Sequence, residues 1–170
     1  NLYTWIGGGN CASNNNWIGR NTMINFRTVP FHLVESEVKE LLPEHYDCAC
    51  EKDEYEALDV DWDYYRIASQ AGTCFCILAL DKNGIVGYSI FFIETDAHSK
   101  NILEATNSAV FVKKEKRGRL SIALFNEAES VAKSLGAHKI SYSVKNDRFG
   151  KFLQRNGYKQ DCIIWSKNHE

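Results

Sequence analysis

Lys113, Lys114, Lys116, Arg117 and Arg119 crowd around Gly118, where the β-branched run AVFV gives way to RLSIALFNEAE. Cations at such a junction favour one chemistry that the backbone can reinforce. Leu120, Leu124, Ala128, Val131 and Leu135 recur at helical spacing, so a helix begins close to Gly118–Ser121 with its first amides unpaired. Free N–H groups, the positive end of the helix dipole and Lys116, Arg117 and Arg119 together suit a multiply charged anion such as a phosphate or diphosphate. Gly118 permits close backbone approach. With no ligand, the same cations would form a solvated turn.

Other reactive side chains point less clearly to a site. Cys48/Cys50 and Cys74/Cys76 form two Cys-x-Cys pairs, in principle four zinc ligands, but structural zinc sites usually space cysteines by two to four residues. Cys74 and Cys76 lie in TCFCILAL, which reads as a buried strand in which thiols act as small apolar groups. His32, His45, His138 and His169 show no metal-ligand spacing, and Gly-x-Ser-x-Gly, Walker and dinucleotide fingerprints are absent from the sequence. No metal is expected.

Several elements must position the basic junction. A chain of 170 residues, 44% of them hydrophobic, can bury one core but not two ordinary ones, so residues 23–170 are expected to form a single domain. Residues 1–22, rich in Asn and Gly and carrying one charge, differ in composition and read as a non-native extension or an arm that packs Trp5 and Trp17. A net charge of −2 argues against nucleic acid as a partner, and the lack of an apolar stretch of about 20 residues argues against a membrane. The expected location is cytoplasmic with reduced thiols.

Periodicity then predicts the elements. INFRTV reads as a strand, and Pro30 opens a helix through FHLVESEVKELL that Pro43 ends. The acidic, aromatic stretch EKDEYEALDVDWDYYRIASQAG closes as a helix at Gly72. CFCILALDKNGIVGYSIFFIE is a hairpin turning on Asp81-Lys82-Asn83-Gly84. ILEATNSAVFV is a strand, residues 120–135 a helix, HKISYSV a strand, DRFGKFLQRNG a short helix and YKQDCIIWS a last strand.

This order resembles the GNAT superfamily of acyl-CoA-dependent N-acyltransferases over residues 23–166. The likeness rests on LALDKNGIVGYSIFF with Gly87 after the turn, on VFVKKEKRGRLSIALFNEAESVAKSLGAHKISYSV, and on NDRFGKFLQRNGY with Asn146, Gly157 and Tyr158. It implies an α/β fold: a mixed, mostly antiparallel central sheet with two splayed parallel strands, flanked by helices. It also implies acetyl-CoA as acyl donor, with pantetheine along Phe111 and Val112, the diphosphate on the amides of Arg117–Ser121, and Asn146 completing the site. The family loop Q/R-x-x-G-x-G/A falls on Lys116, Arg117, Gly118, Arg119, Leu120 and Ser121; here Lys116 replaces Arg or Gln, Arg119 a glycine and Ser121 Gly or Ala.

Acyl transfer requires an amine to lose a proton, a carbonyl oxygen to be stabilised and a thiolate to leave. Within the resemblance Glu104 is the expected base, through water, with Glu94 second and His98 a further possibility; the Val112 amide is the expected oxyanion donor. Leu153 stands where many members carry a tyrosine acid, which leaves Tyr142 as the expected acid. Acids and aromatics across Glu51–Asp63 suit a cationic amine on a small molecule or protein. A homodimer is compatible with this reading. A noncatalytic CoA-binding or interaction module and a zinc module are the rivals.

Overall fold

Strands as apolar as TCFCILAL and IVGYSIFFI need cover on both faces. The computed structural model of the chain, which describes residues 17–19, 22–48, 59–96, 98–144 and 147–162, supplies it. Six strands, β1 (Trp17–Gly19), β2 (Thr22–Pro30), β3 (Cys74–Asp81), β4 (Gly84–Asp96), β5 (Ser99–Val112) and β6 (Lys139–Tyr142), lie side by side in chain order. All neighbours are antiparallel except β5 and β6, which are parallel. The described helices are α1 (Glu35–Cys48), α2 (Trp62–Gln70), α3 (Arg119–Ser134) and α4 (Asp147–Arg155).

The period-2 alternation of the strands sorts their side chains into two cores. On one face Phe75, Ile77, Ala79, Phe91, Ala105 and Val112 meet Leu120, Leu124, Ala128 and Ala132 of α3. Leu124 is fully buried, worth about 1.5–3 kcal/mol relative to exposure. On the other face Cys76, Leu78, Tyr88, Ile90 and Phe111 meet Phe31 and α1 residues such as Val38, with Trp62 and Tyr65 of α2 packed at the margin. Asp61 caps α2 by accepting the Tyr64 amide at 2.9 Å. Arg66 of α2 reaches Glu35 of α1 at 2.8 Å, and that guanidinium, with Lys39, holds the Glu35 carboxyl down to about 2.

The hairpin turns where the sequence places it. Asp81 accepts the Asn83 amide at 2.8 Å and Gly84 takes φ 120. Gly87 serves close approach rather than turning: a Cβ there would lie 2.8 Å from the Phe111 carbonyl oxygen and 3.1 Å from Val112 Cγ2. Gly87→Val is therefore expected to push β4 and β5 apart and cost about 2–4 kcal/mol of stability, measured by urea unfolding.

Two expectations about the elements change. Proline does not end α1; the helix continues through Pro43 to Cys48, and a 3-10 turn, Phe31–Leu33, precedes it. Pro43 forfeits one helical hydrogen bond, yet the turns beyond it are held by His45, whose Nδ1 lies 2.7 Å from the Tyr88 hydroxyl and whose ring stacks on Phe111 at 5.2 Å. The last strand is the other change: Tyr158–Cys162 is not in a strand, and residues 163–166 fall outside the described residues. Residues 1–16, 20 and 21 also fall outside them. No described helix is long and apolar enough to cross a membrane.

Candidate active site

The sheet opens beside β5. β6 pairs with β5 only over Glu104–Asn107, Asn107↔Tyr142 being the last rung, whereas β4 stays paired with β5 up to Gly87↔Val112. From Ser108 onward, no described strand covers the second edge of β5. The parting coincides with a bulge, since Ile90 pairs with Ala109 but Phe91 with Asn107, leaving Ser108 as the extra residue. Asn107 pins that bulge. Its Nδ2 donates to the Ser89 hydroxyl at 3.2 Å and to the Ile90 and Ala109 carbonyls at 3.1 Å each. The Ser108 hydroxyl lies 2.7 Å from that of Tyr65 in α2.

Peptide groups along the open edge can be assigned by alternation. The Lys113 amide donates to the Val86 carbonyl at 2.9 Å, so Val110 and Val112 turn theirs away from β4. Arg117 Nε caps the Val112 carbonyl at 3.0 Å. The Val112 amide and both peptide groups of Val110 are left facing the gap, the geometry an extended chain needs for adding along a strand edge.

Beyond β5 the loop makes a 3-10 turn, Lys114–Lys116, and then enters α3. The Lys116 amide donates to Lys113 at 2.9 Å, the Arg117 amide to Lys114 at 3.4 Å, and Ile122 is the first amide bonded back to Gly118, at 3.3 Å. Between them the amides of Gly118, Arg119, Leu120 and Ser121 have no backbone acceptor among the described residues, and no described side chain caps the helix. The run of donors is thus Gly118–Ser121; the Arg117 amide is spent on the turn. Gly118 sits at φ 93 and ψ −112, with nothing within 4 Å of where a Cβ would stand. Arg119 is already helical, so the usual glycine is not required there. Lys116 Nζ is bound to Asp81 at 2.8 Å, while the exposed Arg119 has no side-chain bond among the described residues.

Glu104 lies in the paired half of β5, three residues or roughly 10 Å of strand before Asn107. Its carboxylate accepts from the Ser141 hydroxyl and lies 3.5 Å from Lys139 Nζ. Glu94 stands directly across from it on β4. Tyr142 occupies the last rung. Its ring lies on the α3 side, 5.2 Å from Phe125, edge-on to Phe91 at 5.7 Å and to Tyr158 at 5.6 Å, and among the described residues its buried hydroxyl makes no well-formed hydrogen bond, the Tyr158 hydroxyl being the polar group that acts on it. Burial, then the Glu129 carboxylate, raises its pKa above the ordinary phenol value. Tyr158, whose hydroxyl donates to Glu129 at 2.5 Å, is raised likewise, chiefly by burial.

Val112 and Gly118–Ser121 border the gap, Tyr142 ends the β5–β6 pairing beside it with its hydroxyl buried on the α3 side, and Glu104 lies at a distance from it. Leu153 is 7% exposed and packs in the core. Asn146 and Glu51–Leu58 lie outside the described residues. Of the remaining acidic stretch, Asp61 caps α2 and Asp63 pairs with Arg66 at 2.5 Å. His98 is exposed, its amide bound to Asp96. Burial pushes the Cys74 thiol up to about 12 and Cys76 higher still, which opposes thiolate ligation. Cys50 is outside the described residues. Sequence reading missed Asn107, Ser141 and Asp81; only Asp81 left a signal, as part of the hairpin turn.

A six-stranded sheet opening at a bulge beside the N-terminus of a helix has the architecture of the GNAT fold. No family model and no curated protein sequence matches the chain. Solved structures do. An aminoglycoside acetyltransferase from an uncultured soil metagenomic sample superposes with TM-score 0.67 at 14% identity, over 86% of this chain and 99% of that one. Ribosomal-protein-alanine N-acetyltransferase from Brucella melitensis biovar Abortus 2308 gives 0.63 at 15%, over 86% and 99%. A second metagenomic aminoglycoside acetyltransferase, in complex with sisomicin, gives 0.65 at 11%, over 86% and 97%. At these identities the likeness is one of fold.

Proposed function

We propose that the protein is an N-acetyltransferase that moves an acetyl group from acetyl-CoA to a primary amine of a small molecule or protein, by direct attack in a ternary complex. The observation that carries this reading is the run of unpaired amides at Gly118–Ser121 beside the uncovered edge of β5. These donors and the space before Gly118 fit a diphosphate, and the peptide groups of Val110 fit an amide-bearing arm, which leaves the Val112 amide free for the acyl group. Acetyl-CoA supplies the activated thioester.

The chain's own groups then have defined tasks. The Val112 amide donates to negative charge developing on the carbonyl oxygen. Glu104, beside Lys139 in the paired half of β5, draws the amine proton across the distance to the gap through water. Tyr142, kept protonated by burial, returns a proton to the departing sulfur. A cationic acceptor is supported by Glu94 and Glu104 opposing each other across β4 and β5.

Mass spectrometry of the purified protein is expected to find co-purified CoA, and a panel of amines incubated with acetyl-CoA is expected to release thiol for at least one of them. Glu104→Gln should lower that turnover about 100-fold with the CoA affinity kept. Tight CoA binding without thiol release for any amine would instead identify a noncatalytic CoA-binding module, the role that the buried Leu153 favours.

A further inference from the structure

The loop between β5 and α3 contains no apolar anchor. Val112 and Leu120 are buried, but none of the seven residues from Lys113 to Arg119 is. A segment without buried side chains keeps one shape only through its polar ties. Apart from the entry into α3, where the Ile122 amide donates to the Gly118 carbonyl at 3.3 Å, there are four to the rest of the chain among the described residues: Lys113 amide to Val86 carbonyl at 2.9 Å, Lys114 amide to Glu44 Oε1 at 3.4 Å, Arg117 Nε to Val112 carbonyl at 3.0 Å, and Lys116 Nζ to Asp81 Oδ2 at 2.8 Å.

The last tie differs in kind. The Asp81 side chain is 1% exposed, its second oxygen accepts the Asn83 amide at 2.8 Å, and Lys116 is 29% exposed. If Lys116 swung out to a ligand, the covered Asp81 carboxylate would lose its closest cation and keep only the Asn83 amide as partner, which costs more than breaking a pair between two exposed side chains. Lys116 is thereby committed inward.

We propose that Asp81, at the tip of the β3–β4 hairpin, is a positioning residue for diphosphate binding: it clamps Lys116 so that the amides of Gly118–Ser121 stay turned outward. This rests on the acyl-CoA reading above. The basic cluster accordingly divides by role. Lys116 and Arg117 shape the loop, and Arg119, at the entrance of the helix, is a cation left to face phosphate.

Calorimetric titration of free CoA into the parent, Asp81→Asn, Lys116→Met and the double variant tests the clamp. Each single change is expected to weaken CoA about tenfold, with the double no weaker than the worse single, because both remove one interaction. Lys116→Arg, which keeps the pair, should restore affinity. A direct phosphate ligand gives the opposite sign: Asp81→Asn frees the lysine and binds CoA as well as or better than the parent, which overturns the proposal. In case Asp81→Asn does not fold, hydrogen exchange of the ligand-free Lys116→Met variant gives an independent reading. Faster exchange across residues 113–121 than in the parent supports the clamp, and unchanged exchange overturns it. A parent that binds no CoA sinks the acyl-CoA reading itself, and the clamp's role in diphosphate binding with it, a result distinct from either.

Discussion

Gly118→Pro is expected to abolish measurable CoA binding, a loss of at least about 100-fold, with little change in the melting temperature. Proline holds φ near −65°, whereas Gly118 sits at φ 93, so the change demands a backbone rotation of roughly 160° at the entrance to α3. It also deletes the first N–H of the donor run, and the rotation turns the amides of Arg119, Leu120 and Ser121 away from a common point. Stability should survive because residue 118 is exposed and a Cβ there touches nothing within 4 Å. Gly118→Ala separates the two causes. Alanine keeps the N–H and pays only for the left-handed backbone, about 1–3 kcal/mol, so an intermediate affinity is expected. Calorimetry that finds parental affinity in the proline variant would remove the diphosphate from this helix end.

Tyr142→Phe is expected to lower turnover about 100- to 10,000-fold while leaving the protein as stable as the parent or more so. The two readouts move for different reasons. As a general acid the hydroxyl gives up a proton in the transition state, which phenylalanine cannot do. As a buried group that makes no well-formed hydrogen bond among the described residues it costs up to about 1–3 kcal/mol in the folded state, offset by whatever the Tyr158 hydroxyl supplies, and its removal relieves the remainder. Linkage gives a further check. Because burial raises the phenol's pKa in the folded chain, its stabilising share is full below the ordinary phenol range near pH 10 and is lost as pH rises beyond it. The Tyr142→Phe variant should accordingly lose less stability than the parent between about pH 10 and 12, followed by denaturant titration at each pH. Unchanged turnover together with a raised melting temperature would assign Tyr142 to packing among Phe91, Phe125 and Phe149 alone.

Much of the architecture was legible because it is written in local periodicity. The apolar runs CFCILAL and GYSIFF and the Asp-Lys-Asn-Gly turn specify β3 and β4, and the spacing from Leu120 to Leu135 specifies α3. Pro43 misled because a proline's cost is local while its compensation is not: His45 reaches Tyr88 across 43 positions of sequence. Tyr158–Cys162 misled differently: the strand reading drew on the apolar residues that follow it, whereas Tyr-Lys-Gln-Asp-Cys itself has three polar side chains in succession and no apolar face to pair.

The chain of residues alone determined that a glycine would open an amphipathic helix directly after a β-branched strand and that cations would gather there, because helix phase, positive φ and charge are properties of short segments. Which of those cations stay free was a tertiary decision. Lys116 turns inward because a hairpin 35 residues earlier brings Asp81 beside it, and Arg117 because the strand end leaves the Val112 carbonyl within reach. The gap was likewise decided in three dimensions: β6 leaves β5 at Asn107, where a bulge pinned to Ser89 and Ile90 turns the strand, and backbone donors become available only where that pairing stops.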